Sequence, residues 1–289
     1  MSCHQEKDIL KEWRESAPYW AKHSDTVRTM FAPITTALTS AADISEGQIV
    51  LDVAGGVGEP SISISSVVGP SGSVICTDAV GEMVGTARSE ARRRTLTNIE
   101  FTQCLAELLP FRDSSFDAVV CRLGVMLFPD PAGAIHEMLR VVKPGGLVSY
   151  AVWSSRDSNP FFGVVMDVVS QYIESPPEDP DAPGAFRFAE PGKLARLFAE
   201  AGAIEVCERL IKFELQAPIT AKQFWELRVE LSDTLRAKVA SLSPEQLKRV
   251  AQEVEVAGRT FFAAGRMSFP GQVLIVTGRK LPPCYTEAT

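Results

Sequence analysis

The chain of 289 residues is poor in the groups that build metal centres and redox pairs. It has three histidines (His4, His23, His136) and six cysteines (Cys3, Cys76, Cys104, Cys121, Cys207, Cys284), with no C-x-x-C pair among them. Structural zinc sites and thioredoxin-like motifs need such local pairs, so no metal site is expected and the cysteines read as reduced core or surface residues. Basic runs are missing as well. The densest cluster is Arg88 with Arg92, Arg93 and Arg94, and 29 Lys+Arg against 36 Asp+Glu leave a net charge of −7. A phosphate-backbone ligand needs a basic footprint, which argues against a nucleic-acid partner. No stretch reads as a membrane span. The opening MSCHQEKDILKEW is charged where a signal peptide would be apolar, so a cytoplasmic protein is expected.

What is present is an ordinary globular composition, 45% hydrophobic and 22% charged, which excludes a disordered or fibrous chain. Residues 1–46 read as an N-terminal helical arm, with Ile9, Leu10, Trp13, Trp20, Val27, Met30 and Phe31 at helical intervals and breaks at Pro18 and Pro33. From residue 47 to 154 apolar strands alternate with helices: 49–53, 74–77, 99–102, 116–121 and 147–153. A helix over 132–142 is stopped by Lys143-Pro144-Gly145-Gly146. A further helix and strand follow over 191–216, and a last strand, Gln272 to Thr277, lies in 269–289. This alternation predicts an α/β protein with a doubly wound, mostly parallel seven-stranded sheet and helices on both faces. Two segments fall outside it. Residues 155–190 hold Phe161-Phe162 and a proline-rich loop (Pro176, Pro177, Pro180, Pro183). Residues 217–268 carry two capping-box signatures, Thr220 with Gln223 and Ser243 with Gln246. Both read as helical insertions forming a lid.

The strongest local signal is the stretch from Val50 to Pro60, VLDVAGGVGEP, a strand that ends in glycines and feeds a helix. Without β-carbons the backbone can pass close to a ligand. Asp78, twenty residues after Gly58, ends the next strand, where a carboxylate can accept both hydroxyl hydrogens of a ribose. The alternative role of Asp78 is to cap the following helix. A dinucleotide fingerprint would require a third glycine where Ser61 stands, which disfavours a nicotinamide oxidoreductase.

Three further stretches complete an ordered series: Ala106-Glu107-Leu108-Leu109-Pro110-Phe111, then Asp113 to Asp117, then Arg140 to Gly146. With this series the sequence resembles a class I S-adenosylmethionine-dependent methyltransferase, of the ubiquinone/menaquinone-biosynthesis C-methyltransferase-like branch, over residues 45 to 153. The resemblance implies a Rossmann-like methyltransferase sheet. It also implies roles position by position. Asp52, Ala54, Gly55, Gly56 and Gly58 would form the loop around the amino-acid end of S-adenosylmethionine, and Asp78 would hold its ribose. Val80 and Met83 would pack on adenine, Ala106 and Glu107 would line its edge, and Arg122 and Leu123 would border the methyl group. Ala54 departs from the glycine that many class I enzymes carry there, although the quinone branch commonly has Ala-Gly-Gly.

Methyl transfer from a sulfonium asks for alignment and water exclusion, with a general base only where the nucleophile arrives protonated. His136 reads as a surface residue. His23, in the arm that by resemblance covers the cofactor, is the one candidate for a catalytic part. Strand ends and insertions suggest Trp20, Met126, Trp153, Phe161, Trp225 and Arg228 as substrate contacts in a mostly apolar, lidded pocket. The expected partner is a small-molecule methyl acceptor and the expected product S-adenosylhomocysteine, in a monomer or homodimer. The alternatives are a quinone C-methyltransferase and an S-adenosylmethionine-binding protein that transfers no methyl, such as a cyclase. Nothing like the Asn-Pro-Pro-Tyr motif of amino-methylating nucleic-acid enzymes follows the fourth strand, where the chain reads CRLGVMLFP.

Overall fold

The computed structural model describes residues 3–173 and 179–282, with side chains from Leu10 onward. Pro176, Pro177 and Cys284, and the side chains of Cys3, His4 and Ile9, lie outside the described residues.

The arm is two helices, α1 (Cys3–Lys22) and α2 (Ser24–Ala41). Pro18 and Pro33 lie inside them and the break falls at His23, which differs from the reading of the prolines as breaks. An interior proline costs a helix about 3 kcal/mol. Helix α2 offsets that cost by burying Val27, Met30, Phe31, Ile34 and Leu38, since each fully buried aliphatic side chain contributes about 1.5–3 kcal/mol.

The parallel part of the sheet is built from β1 (Ile49–Val53), β2 (Ser73–Asp78), β3 (Ile99–Gln103), β4 (Phe116–Arg122) and β5 (Val142–Trp153). The chain returns between them through α3 (Ser61–Val68), α4 (Gly81–Arg93) and α5 (Pro131–Val141). After α7 (Lys193–Glu200) come β6 (Ala203–Ala217), the two-residue β7 (Phe262–Ala263) and β8 (Arg266–Lys280). The strand order is β3-β2-β1-β4-β5-β8-β6, with β7 paired to β8. Strand β8 is antiparallel to both β5 and β6. The expected fold class is therefore present, with one small strand added. β1 is buried from Val50 to Val53, as a strand covered on both faces must be.

Two local readings change. The Lys143-Pro144-Gly145-Gly146 stretch does not separate helix from strand: β5 starts at Val142, directly after α5, and the stretch forms an irregularity between the pairs Phe116↔Val142 and Ala118↔Leu147. Lys143 is pinned there, its Nζ donating to Asp117 Oδ1 at 2.5 Å, while the Ile49 N–H donates to Asp117 Oδ2 at 2.8 Å. The last two long strands also run further than their apolar cores. Pairing with β5 ends at Trp153↔Val273, yet β8 continues to Arg266 beside β6, as far as Ala217↔Met267. This two-stranded extension adjoins the C-terminal insertion.

The insertions are helical, as expected: α6 (Pro160–Val169), then α8 (Ala221–Leu231), α9 (Asp233–Ala240) and α10 (Pro244–Ala257). Both capping boxes are formed, at Thr220/Gln223 and Ser243/Gln246. Edge-to-face rings hold them to the sheet, Phe161 meeting Phe224 at 5.5 Å and Phe269 at 5.8 Å. Replacing Ile34, fully buried in α2, with alanine is expected to cost about 2–5 kcal/mol. Urea unfolding of Ile34→Ala checks this. A loss under about 0.5 kcal/mol would mean that the arm is not part of the cooperative core.

Candidate active site

The site forms where β1, β2 and β4 end. Asp52 in β1 is fully buried and accepts two hydrogen bonds on one oxygen, from Ser61 N–H at 3.0 Å and Ser61 Oγ–H at 2.6 Å. It therefore clamps the start of α3 to the strand, and the five residues from Ala54 to Gly58 must close a tight loop between them. The loop needs left-handed backbone at Ala54 (φ 59), Gly56 (φ 56) and Gly58 (φ 113). Leu123, just past β4, is left-handed too (φ 62). Ala54 and Leu123 thus hold strained conformations at neighbouring strand ends. The glycines serve different needs. A β-carbon on Gly55 would lie 2.6 Å from Cys76 Sγ and 2.8 Å from Asp52 Oδ2, whereas one on Gly56 would meet nothing within 4 Å. Gly55 is required by packing underneath, and Gly56 faces open space.

That space is a cavity of about 190 Å³. The loop, Asp78, Val80, Met83, Ala106, Glu107, Arg122 and Leu123 form one side, and Trp20, Val27 and Phe31 of the arm form the other. Asp78 accepts the N–H of Gly56 at 3.0 Å on one oxygen and that of Val80 at 2.9 Å on the other. It therefore fastens the loop and the turn into α4, while the N-cap position itself falls to Val80 with no side-chain cap, so the helix-capping alternative is not met. Each carboxylate oxygen retains a further acceptor site. Burial raises the pKa of Asp78, against the lowering effect of these backbone bonds. Arg122 donates to Thr35 Oγ1 at 2.7 Å and to the Glu59 carbonyl at 3.0 Å, which ties α2 to the loop, and it lies 5.7 Å above the Phe31 ring.

Of the residues expected at the cofactor, Ala54, Gly55, Gly56, Asp78, Val80, Met83, Ala106, Glu107, Arg122 and Leu123 line this cavity. Asp52 and Gly58 lie beneath it, supporting the loop. The expected substrate residues divide. Trp20 lines the cavity, beside the cluster of Ala17, Val57, Val80 and Met83. Met126, Trp153, Phe161, Trp225 and Arg228 do not line it. Trp153 is packed between Phe31 and Phe162, at 5.6 and 5.0 Å. Arg228, 6% exposed, lies between the Phe161 and Phe162 rings at 4.7 and 4.8 Å, and burial lowers its pKa to about 10. These rings pack against one another and around the Arg228 guanidinium, away from the cavity. His23 does not line the cavity either. Its Nε2 meets Glu230 Oε2 at 2.5 Å, and Lys22 Nζ donates to the same carboxylate at 2.7 Å, latching the arm to α8. Among the described residues no three His, Cys, Asp or Glu side chains are grouped to hold a metal.

Sequence reasoning missed Ser24 and Arg28, which share a face of α2 with Val27 and Phe31, and Glu59, which follows the glycine loop. The helical spacing 24, 27, 28, 31 was a signal for the first two. For Glu59 there was none.

A doubly wound sheet with its antiparallel strand between β5 and β6, a glycine loop after β1 and an acidic residue closing β2 make up the fold of the class I S-adenosylmethionine-dependent methyltransferases. The YcgJ protein of Bacillus subtilis superposes with a TM-score of 0.54 over 86% of this chain and 97% of its own at 21% identity. The [4+2]-cyclase SpnF gives 0.51 over 86% and 80% at 20% identity. Identities this low establish the fold alone. Residues 35–174 match the ubiE/COQ5 methyltransferase family. The ubiquinone/menaquinone biosynthesis C-methyltransferase of Hahella chejuensis is 38% identical over 128 residues, 44% of this chain and 51% of that protein. An uncharacterized protein of Mycobacterium tuberculosis is 34% identical over 146 residues, 50% and 51% of the two chains. The chain thus spans about half the length of the curated relatives it matches.

Burial lifts the pKa of Asp52 to about 7, the Ser61 hydroxyl and then Arg122 opposing it. A carboxyl whose folded pKa lies above its unfolded value costs stability as pH rises, because the unfolded chain releases the proton first. Stability is accordingly expected to fall between about pH 4 and pH 7, with a slope of up to about 1.4 kcal/mol per pH unit from this group. Asp52→Asn should flatten that segment in denaturant titrations across pH. An unchanged slope would show that Asp52 does not titrate there.

Proposed function

We propose that the protein moves a methyl group from S-adenosylmethionine to a small, largely apolar acceptor enclosed between the sheet and the arm. The observation that carries this is one cavity bounded by the Gly55–Gly56 backbone, the Asp78 carboxylate and apolar arm side chains. The residues present fit the cofactor. Among the described residues, Trp20 Nε1 and Arg28 Nε are buried donors without partners in the cavity wall, which a ligand bearing acceptors would satisfy. When bound, S-adenosylmethionine supplies a methyl group made electrophilic by its sulfonium.

The chain's own part is binding and exclusion of water. Asp78 accepts the ribose hydroxyls, Val80 and Met83 pack on the adenine, and Ala106 and Glu107 border it. The Ala54–Gly58 loop holds the methionine end, on a platform set by Asp52. Leu123 and Arg122 face the methyl group, and Val27 and Phe31 close over it. An apolar wall suits desolvated transfer, where alignment does most of the work. The acceptor is a free small molecule in the cytoplasm, a reading supported by the net charge of −7 and by the free Cys76, Cys104, Cys121 and Cys207. Among the described residues no helix is long and apolar enough to cross a membrane.

A quinone-type carbon acceptor is favoured by the ubiE/COQ5 match over 35–174. Against it, the lid helices α8 to α10 fall outside that match. A cyclase reading rests on the fold shared with SpnF and has no residue of this site to recommend it.

Calorimetric titration with S-adenosylmethionine, S-adenosylhomocysteine and NAD tests the proposal. Micromolar binding of the first two and none of NAD is expected, and the reverse would overturn it. Asp78→Ala is expected to weaken S-adenosylhomocysteine about hundredfold through two lost charge-assisted hydrogen bonds, with an unchanged far-ultraviolet spectrum. Unaltered affinity would place the ribose elsewhere.

A further inference from the structure

We propose that Glu59 is the proton acceptor for the methyl acceptor, and that the acceptor presents a hydroxyl group, phenolic or enolic, to it. This rests on the methyl-transfer reading above and adds the substrate's chemistry to it.

Several carboxylates line the cavity, and most are engaged. Asp78 takes the Gly56 and Val80 amides, Glu90 binds Arg93 and Arg94, and Glu107 accepts the Asp130 N–H. Glu59 differs. Its Oε2 accepts the Ser63 hydroxyl at 2.7 Å, and its Oε1 is fully buried with no hydrogen-bond partner among the described residues. A buried acceptor left without a donor is costly, and such atoms in a folded protein call for an explanation. The cavity that Glu59 lines is largely apolar, with Val27 and Phe31 from the arm, Ile62 from α3, and Leu127 and Phe128 after β4, and its donors Trp20 Nε1 and Arg28 Nε make no bond to Glu59. The side chain is also held in place. Ser63 fixes one oxygen from the next turn, and Arg122 fixes the Glu59 carbonyl. The unused oxygen is therefore a preset acceptor in a largely apolar cavity wall, at the end of the loop proposed to hold the methionine moiety.

An unused acceptor in a largely apolar wall fits a ligand that carries a neutral donor on an apolar body, as a hydroxylated ring does. A hydroxyl also needs a base, because its oxygen is a poor nucleophile while protonated. In the step the oxygen bonds to the methyl carbon as the carbon–sulfur bond breaks. The electron pair of that bond stays on sulfur to give the neutral thioether, and the hydroxyl proton passes to Glu59 Oε1. No oxidant, reductant or further co-reactant is needed.

The test uses the full chain with 2-naphthol and its isostere 2-methylnaphthalene, which lacks the donor. In the S-adenosylhomocysteine complex, fluorescence titration should show that 2-naphthol binds at least tenfold more tightly than the isostere. Glu59→Ala and Glu59→Gln should differ: the first abolishes the preference, while the second keeps part of it and loses turnover. With 2-naphthol and S-adenosylmethionine, Glu59→Gln should lower S-adenosylhomocysteine formation at least hundredfold, its affinity for S-adenosylmethionine staying within threefold. A preference that survives Glu59→Ala overturns the proposal. So does a variant that loses cofactor affinity in step with turnover, which would make Glu59 a cofactor residue. Wild-type protein that binds S-adenosylhomocysteine but shows no preference for 2-naphthol, or does not turn it over, overturns the hydroxyl assignment and leaves the methyltransferase reading standing. Wild-type protein that binds neither S-adenosylmethionine nor S-adenosylhomocysteine overturns that reading.

Discussion

The buried Asp52 carboxylate is the joint on which the site depends. It lies in the central strand β1 and takes both donors of Ser61, at the first residue of α3. Strand end and helix start are thereby held together, and everything between them is compressed into a loop whose backbone is left-handed at three positions. The loop in turn meets Asp78 from the neighbouring strand through the Gly56 amide. A buried carboxylate with a single occupied oxygen is an expensive part of a core. Its position explains the expense, since no apolar residue could bind the Ser61 amide and hydroxyl together.

A second linkage makes the arm part of the site. Arg122 reaches from the end of β4 to Thr35 of α2 and to the carbonyl of Glu59, so one guanidinium joins core, loop and arm. From the other side Glu230 of α8 gathers Lys22 and His23 at the junction of α1 and α2. The arm is held on the cavity by the core and by the lid at once. His23, whose residue type invites a catalytic role, is spent on this latch.

The difference between legible and illegible residues follows the range of the forces that place them. The glycine loop, Asp78, the two capping boxes and the alternation of strands and helices are local patterns. Short-range sterics and hydrogen bonds decide them, and they were readable from neighbours in the chain. Pro33 misled because a local penalty of about 3 kcal/mol was outweighed by burial of α2 against the sheet. Phe161, Trp153 and Arg228 lie away from the cavity for a related reason: an aromatic side chain can face a ligand or another ring, and here the rings meet edge to face and Phe161 lies against the Arg228 guanidinium. Residue type alone does not distinguish these outcomes.

The amino-acid sequence by itself determined the fold class, the alternation of strands and helices in the core, the loop that turns at Gly55 and Gly56 and the carboxylate that closes β2. Each depends on contacts among residues close in the chain, or on a pattern that only one sheet topology satisfies. The tertiary structure alone decided which face of the arm covers the cavity, that His23 latches and Trp153 packs, and that one oxygen of Glu59 has no donor among the described residues. Those facts depend on which distant segments are brought together and on how much water is excluded when they meet, and neither quantity is encoded in the spacing of neighbouring residues.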